Sequence, residues 1–61
     1  MTIKELFEKI HNLPNVVNVI YNEDHIWIGE FTKMPEEVKM LCFSEAYIQD
    51  WSDNPQIVFY I

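Results

Sequence analysis

Four short runs rich in β-branched and aromatic residues constrain the fold of this chain more than any other feature. They are VVNVIY (16–21), HIWIGEF (25–31), SEAYIQDW (44–51) and QIVFYI (56–61). Such residues favour strands, and only three residues separate the first two runs, which predicts a β-hairpin. The turn-forming cluster SDNP (52–55) predicts a second hairpin from the last two runs. A helix continuing from residue 43 through residue 51 is the alternative that the sequence leaves open.

Residues 2–12 have the pattern of an amphipathic helix. Thr2 and Glu5 stand at the spacing of a capping box, and apolar residues recur at helical spacing from Ile3 to Ile10. Pro14 ends the helix, because the residue before a proline is pushed out of the helical region. A second, short helix is predicted to begin at Pro35, since proline and two following glutamates are typical of a helix start.

These elements predict a single α+β domain spanning residues 1–61, with the order α-β-β-α-β-β. The two hairpins form a four-stranded antiparallel sheet, with the N-terminal helix across one face and a short second helix. Side-chain alternation places valines of the first strand and isoleucines of the second on the helix face. The predicted core is Ile3, Leu6, Phe7, Ile10, Val17, Val19, Ile26 and Ile28.

The opposite face of the predicted sheet is aromatic. With Ala46 and Ile48 facing the helix, the other face carries Trp27, Phe31, Tyr47 and Trp51. An exposed patch of this kind is typical of an interface. The sequence leaves three possibilities for what packs against this face: the second helix, a second copy of the chain in a homodimer, or a different protein.

Charge narrows the classes of partner. The chain holds ten acidic residues, four lysines and no arginine, and its net charge is −6. A cluster of basic residues is the first mark of a nucleic-acid binder. Direct binding to nucleic acid or to an anionic membrane surface is therefore not expected, whereas a cationic protein surface would be attracted.

The charged N-terminal run predicts neither a signal peptide nor a membrane span. Cys42 is the only cysteine, which excludes an intrachain disulfide and suits a reducing cytoplasm.

The acidic charge is segregated along the sequence. Charges cancel within the predicted helical segments, and the excess comes from six carboxylates in the hairpins: Glu23, Asp24, Glu30, Glu45, Asp50 and Asp53. If the four strands are antiparallel neighbours, the turns after the first and third strands lie at the same end of the sheet. That end would gather Glu23, Asp24, Asp50 and Asp53 into one acidic rim. The alternative is that the short helix acts as a crossover. The middle strands are then parallel, the two turns lie at opposite ends of the sheet, and the carboxylates only solvate the protein.

The spacing of the potentially catalytic or metal-binding residues gives little support for an active site or a metal site. Adjacent carboxylates at 23–24 and 36–37 are explained by turn and cap positions, and neighbours in a turn or strand point apart. Cys42, His11 and His25 have no spacing typical of a nucleophile with its base or of a metal site. The single glycine excludes a phosphate-binding loop. We therefore expect no enzyme activity, no metal and no cofactor.

The order of motifs resembles a loosely defined class of proteins. An amphipathic N-terminal helix is followed by IGEF (28–31), MPEEV (34–38) and, after an acidic turn, IVFYI (57–61). This order is similar to that of small acidic accessory proteins of phages and mobile elements in Gram-positive bacteria. Some small acidic phage proteins inhibit host defence enzymes, CRISPR nucleases among them, by occupying DNA-binding grooves. The resemblance implies a genomic setting and transfers no residue role.

The sequence thus predicts a non-enzymatic, phage-type protein-binding module. In its sharpest form it is an anti-CRISPR-like DNA mimic whose hairpin carboxylates engage a basic surface of a host enzyme beside apolar anchors. The alternative is a structural or assembly protein that forms a homo-oligomer through its aromatic face. The predicted partner-binding residues are Glu23, Asp24, Glu30, Glu45, Asp50, Asp53, Trp27, Tyr47 and Trp51.

Overall fold

The N-terminal helix begins with the predicted cap. The computed structural model of the protein describes residues 1–50 and 53–61, and its first element is α1 (Ile3–Lys9). Glu5 N donates to Thr2 Oγ1 (3.1 Å) and Thr2 N donates to Glu5 Oε1 (2.9 Å), which completes the capping box. Donation from the Thr2 backbone holds the pKa of Glu5 below its ordinary value. The helix is shorter than the predicted 2–12, because Ile10 already has an extended backbone (φ −119°, ψ 125°).

The first hairpin pairs β1 (Val16–Tyr21) with β2 (Asp24–Glu30). The two turn residues, Asn22 and Glu23, both have positive φ (50° and 69°), as in the type I′ turns that match strand twist. The pairing then shifts by one residue between Val19 and Ile20, which is a β-bulge in β2. Beyond the bulge Val19 lies opposite Trp27 instead of Ile26, so the face assignment of β2 is reversed relative to the sequence prediction.

The second half of the chain contains two short helices and the second hairpin. A 3₁₀ turn (Phe31–Lys33) leads into α2 (Glu36–Lys39), which starts after Pro35 as predicted. β3 (Glu45–Gln49) and β4 (Gln56–Tyr60) pair antiparallel. Residues 45–49 therefore form a strand, and the alternative of a long helix through residue 51 is wrong within this range.

The α+β class is confirmed, and one strand pairing corrects the predicted all-antiparallel sheet. The strand order is β2-β1-β4-β3, and the central pair, β1 with β4, is parallel. The reason lies in residues 31–44, which leave the end of β2 and carry the chain back to the end of the sheet where β2 began. β2 and β3 consequently run in the same direction on opposite edges, and the short helices serve as the crossover between them.

The core lies between the sheet and the helices. Its buried side chains are Ile3, Val17, Val19, Met34, Ile57 and Phe59. Phe7 stacks on Phe31 (ring centroids 3.9 Å apart), and Phe43 meets Phe59 edge-on at 4.9 Å.

The predicted core is right in part. Ile3, Val17 and Val19 are buried, and Leu6 and Phe7 are partly buried against them. Three other predicted members are exposed: Ile10 (46%), Ile26 (44%) and Ile28 (58%). Ile10 lies beyond the end of α1, and the bulge moves Ile28 to the other face.

Candidate functional site

The excess negative charge of the protein lies on the sheet and its turns. All four lysines are in α1, the 3₁₀ turn and α2, where four glutamates balance them. The six carboxylates that the sequence singled out are the remaining acidic residues, and they lie in strands β2 and β3, in the turn 22–23, or at positions 50 and 53 between β3 and β4. The helical layer is thus neutral, and the sheet with its turns carries the whole −6.

These carboxylates occupy two ends of the sheet. Tyr60 pairs with both Ile20 and Glu45, which places Glu45 at the first-turn end, the end that holds the turn 22–23 and Asp24. Gln56 pairs with both Val16 and Gln49, and the opposite end, the second-turn end, therefore holds Glu30, Asp50 and Asp53. The predicted rim of Glu23, Asp24, Asp50 and Asp53 at one end is wrong. The parallel central pair sends the two turns apart.

The lysines contact groups at the margin of the helical layer. Lys33 Nζ lies 3.2 Å from Glu30 Oε2, and Lys4 Nζ lies 3.2 Å from Glu36 Oε1. Lys39 Nζ sits 4.9 Å from the centroid of the Phe31 ring. Among the residues that the structure describes, Glu30 is the only one of the six hairpin carboxylates within salt-bridge distance of a lysine.

The aromatic face has a different membership from the one predicted. Trp27 and Phe31 are partly buried against the core, because the bulge turns Trp27 to the helix side. Tyr47 lies on the opposite side, which we call the open face: the sheet face turned away from the helices. Tyr60 joins it there, and its position was missed in the sequence analysis although strand alternation predicts it from Phe59. Trp51 lies outside the described residues.

Cross-strand polar pairs cover much of the open face. His25 Nδ1 lies 2.8 Å from Asn18 Oδ1, and because an amide oxygen only accepts, the imidazole donates. Gln56 Nε2 donates to Gln49 Oε1 at 2.9 Å. These contacts satisfy a buried asparagine (8% exposed) and link β1 to β2 and β3 to β4 on the same face.

Two tyrosines form the third pair on this face. The hydroxyls of Tyr47 and Tyr60 are 2.8 Å apart, and the rings stack with centroids 5.6 Å apart. The hydrogen bond to Tyr47 raises the pKa of Tyr60, with burial and the charge of Glu45 adding to the effect. The pair joins β3 to β4, and Tyr47 keeps 41% of its surface exposed.

An apolar groove runs between α1 and β3 on the helix side of the sheet. It encloses about 440 Å³. Apolar side chains lining it are Leu6, Ile10, Leu13, Phe43, Ala46, Ile48 and Ile57. One helix about 10 Å wide cannot cover four strands spaced about 4.8 Å apart, so β3 stays uncovered. Ala46 and Ile48 lie on this side of the sheet, as predicted, but they are exposed there, which was not predicted.

The residues considered for chemistry are scattered. The thiol of Cys42 is free and exposed, and His25 is bonded to Asn18. Within residues 1–50 and 53–61, no three His, Cys, Asp or Glu side chains come together as a metal site. The absence of catalysis and of a cofactor stays a prediction.

Comparison with known proteins adds no relative. No family model matches the chain, and neither a curated protein nor a solved structure matches it. The resemblance to phage accessory proteins therefore stays a prediction. No helix in the described part of the chain has the length and apolar character needed to cross a membrane.

Proposed function

We propose that this protein is a non-enzymatic binding module whose sheet side engages a cationic surface of another protein. The observation that carries the proposal is the division of charge between the two layers: a neutral helical layer and a sheet layer of −6. Charges concentrated on one side of a small protein orient an approaching partner and accelerate encounter.

The open face supplies apolar contact beside the charge. Tyr47 and Ile28 are exposed there, and aromatic side chains contribute disproportionately to interface energy. Carboxylates at both ends of the sheet frame this surface, Glu45 at the first-turn end and Glu30 at the second-turn end. A partner with basic residues around an apolar centre fits this arrangement.

The finer form of the proposal is a phage-type inhibitor, anti-CRISPR-like, that excludes DNA from a host defence enzyme in the cytoplasm. The single acidic rim on which a DNA mimic was first based does not form, since Asp24 and Asp53 lie at opposite ends of the sheet. The support that remains is the charge of the sheet as a whole. Competition with duplex DNA for a purified DNA-binding enzyme tests this form, which requires inhibition that weakens with added salt. Binding that leaves DNA affinity unchanged contradicts it and leaves the general proposal standing.

The homo-oligomer through the aromatic face is the alternative function that the sequence suggested. Trp27 and Phe31 pack against the core, so that face has lost two of its predicted anchors. Nothing in the described geometry favours an oligomer through that face, and this function stays a prediction.

The test of the general proposal compares two double variants of equal net charge. Asp24→Asn with Glu45→Gln neutralises the sheet side, and Glu8→Gln with Glu37→Gln neutralises the helical layer. Binding of basic proteins from a Gram-positive lysate, quantified by mass spectrometry, is expected to fall about three- to tenfold for the first variant. The second variant is expected to bind like the parent.

An equal loss in both variants would show that only net charge matters, and no loss in either would show that the carboxylates take no part. Both results contradict the proposal. Thermal melting of all three proteins confirms that folding is preserved.

A further inference from the structure

The two edge strands of the sheet differ in how they are protected against pairing. Natural edge strands use bulges, lysines or prolines to prevent association. The β2 edge carries the bulge next to His25. The β3 edge, Glu45–Gln49, pairs with β4 in five consecutive positions without a shift and contains no lysine or proline. Its outer backbone groups are therefore presented in regular strand geometry.

The side chains of β3 offer a different chemistry on each face. Ala46 and Ile48 face the groove, since they pair with core residues of β4, and Ile48 is 48% exposed. Glu45, Tyr47 and Gln49 point to the open face. An approaching strand would meet an apolar side and a polar side, as an additional strand of the same sheet does.

We propose that the occupant of this edge is β3 of a second copy, paired antiparallel with Tyr47 opposite Tyr47. A two-fold axis perpendicular to the sheet then joins two four-stranded sheets into one of eight strands. This symmetry keeps each residue on its own face, because opposed side chains in an antiparallel pair point the same way. The inference goes beyond the proposed function and does not depend on it.

The sequence of β3 is complementary to itself in this register. Ala46 lies opposite Ile48 of the second copy, so a small side chain meets a large one. Glu45 lies opposite Gln49 of the second copy, and an amide can donate to a carboxylate, whereas like charges directly opposite are unfavourable. Both matches occur twice by symmetry.

Other antiparallel registers of β3 with its copy pair fewer residues or match their side chains less well. Centring the pair on Ala46 or on Ile48 leaves three residues of the strand paired instead of five. The Ile48-centred register also sets Asp50 opposite Ala46, on the apolar side. A basic peptide is the competing occupant for this edge, and it makes no use of the self-matching order of side chains.

Disulfide trapping tests the register directly in a Cys42→Ser background. The Tyr47→Cys variant is expected to oxidise to a covalent dimer, because opposed strand residues lie about 4.5–5.5 Å apart and a disulfide needs Cα atoms within about 7 Å. Glu45→Cys alone is expected to form no covalent dimer, since its own copy lies four positions, about 13 Å, along the strand. Mixing it with the Gln49→Cys variant is expected to give the dimer.

Sedimentation velocity provides the matched test without cysteine chemistry. The parent is expected at twice the 7.4 kDa chain mass, Ile48→Lys at the single mass, and Ile28→Lys, the same change on the other edge strand, at twice the mass. Thermal melts confirm folding of each variant. Three sedimentation results would overturn the proposal: a parent that is monomeric at every concentration, a dimer that survives Ile48→Lys, or a dimer lost equally in both variants. A disulfide between two copies of the Glu45→Cys variant would also overturn it.

Discussion

The two faces of the sheet hold the protein together by different means. On the helix face, Val17, Val19, Ile57 and Phe59 are buried in one apolar cluster. On the open face, adjacent strands are linked by three polar contacts, which join Asn18 to His25, Tyr47 to Tyr60 and Gln49 to Gln56. Burial of a large apolar side chain contributes about 1.5–3 kcal/mol, whereas a cross-strand pair contributes about 0.2–1 kcal/mol. The helix face therefore carries the main apolar cluster, whereas the open face combines these polar contacts with the buried side chains of Ile20 and Val58.

The largest expected effect comes from Phe59, which is fully buried at the centre of the helix face. Phe59→Ala is expected to lower the free energy of unfolding by about 3–5 kcal/mol, because it removes the ring that Phe7 and Phe43 contact. Chemical denaturation followed by circular dichroism measures this change.

Ile28→Ala is the matched control on the open face. Ile28 is 58% exposed, so its truncation is expected to change the free energy of unfolding by less than about 0.5 kcal/mol. If Ile28→Ala destabilises the protein as much as Phe59→Ala does, the open face is buried and the contrast between the faces is wrong.

A middle-sized effect is expected from the buried amide of the open face. Asn18→Ala removes the acceptor for His25 and is expected to cost about 1 kcal/mol. Asn15→Ala is the control, because Asn15 makes a similar side-chain hydrogen bond, to Glu30 at 3.1 Å, but on an exposed surface. Denaturation midpoints that rank Asn15→Ala as the more damaging change would contradict the burial argument.

The smallest effect is a dependence on alkaline pH from the tyrosine pair. The pKa of Tyr60 is raised above its ordinary value of 10.0 in the folded protein, so the folded state holds the phenolic proton more tightly than the unfolded state. Its contribution is fully present below pH 10.0 and is lost as the pH rises through the raised pKa. Tyr47→Phe removes the main cause, and NMR titration of the Tyr60 ring is expected to show a lower pKa in that variant. An unchanged pKa would contradict the assigned hydrogen bond.

One inserted residue explains why the two faces were partly misassigned from sequence. The run HIWIGEF alternates equally well in two registers, and a hairpin without a bulge would set Val19 opposite Ile26 and Val17 opposite Ile28. The bulge shifts this pairing by one, so that Val19 meets Trp27 and Val17 meets Gly29. Nothing in the alternation of apolar residues reveals such a shift.

Gly29 leaves space for the ring of Trp27 on the same strand. A Cβ atom at this position would lie 3.0 Å from two ring carbons of Trp27, closer than carbon atoms normally approach. The ring of Trp27 therefore lies along its own strand over the glycine. This glycine is the only one in the chain. From the sequence it served only to exclude a phosphate-binding loop, and its position in the strand was not interpreted.

Short sequence motifs predicted most of the helices and strands, but they did not predict how distant strands pair. The capping box at Thr2, the start at Pro35 and both hairpins follow from neighbours in sequence. The parallel pairing of β1 with β4 depends instead on how residues 31–44 cross the sheet, and no short motif specifies that. The segregation of charge was correctly predicted, but its division between two ends follows from this crossover.

The parallel pairing of β1 with β4 also determines the stage of synthesis at which the protein can fold. β4 comes last of the four strands in sequence order but lies between β1 and β3, and Val16 pairs with Gln56. Each hairpin closes through a short loop, whereas this central contact requires closure of most of the chain, which is slow. During synthesis from the N-terminus, the first hairpin is complete while Phe59 is still missing from the core. The nascent chain consequently exposes Val17 and Val19 until its last strand is made, and folding is expected to be a single late step.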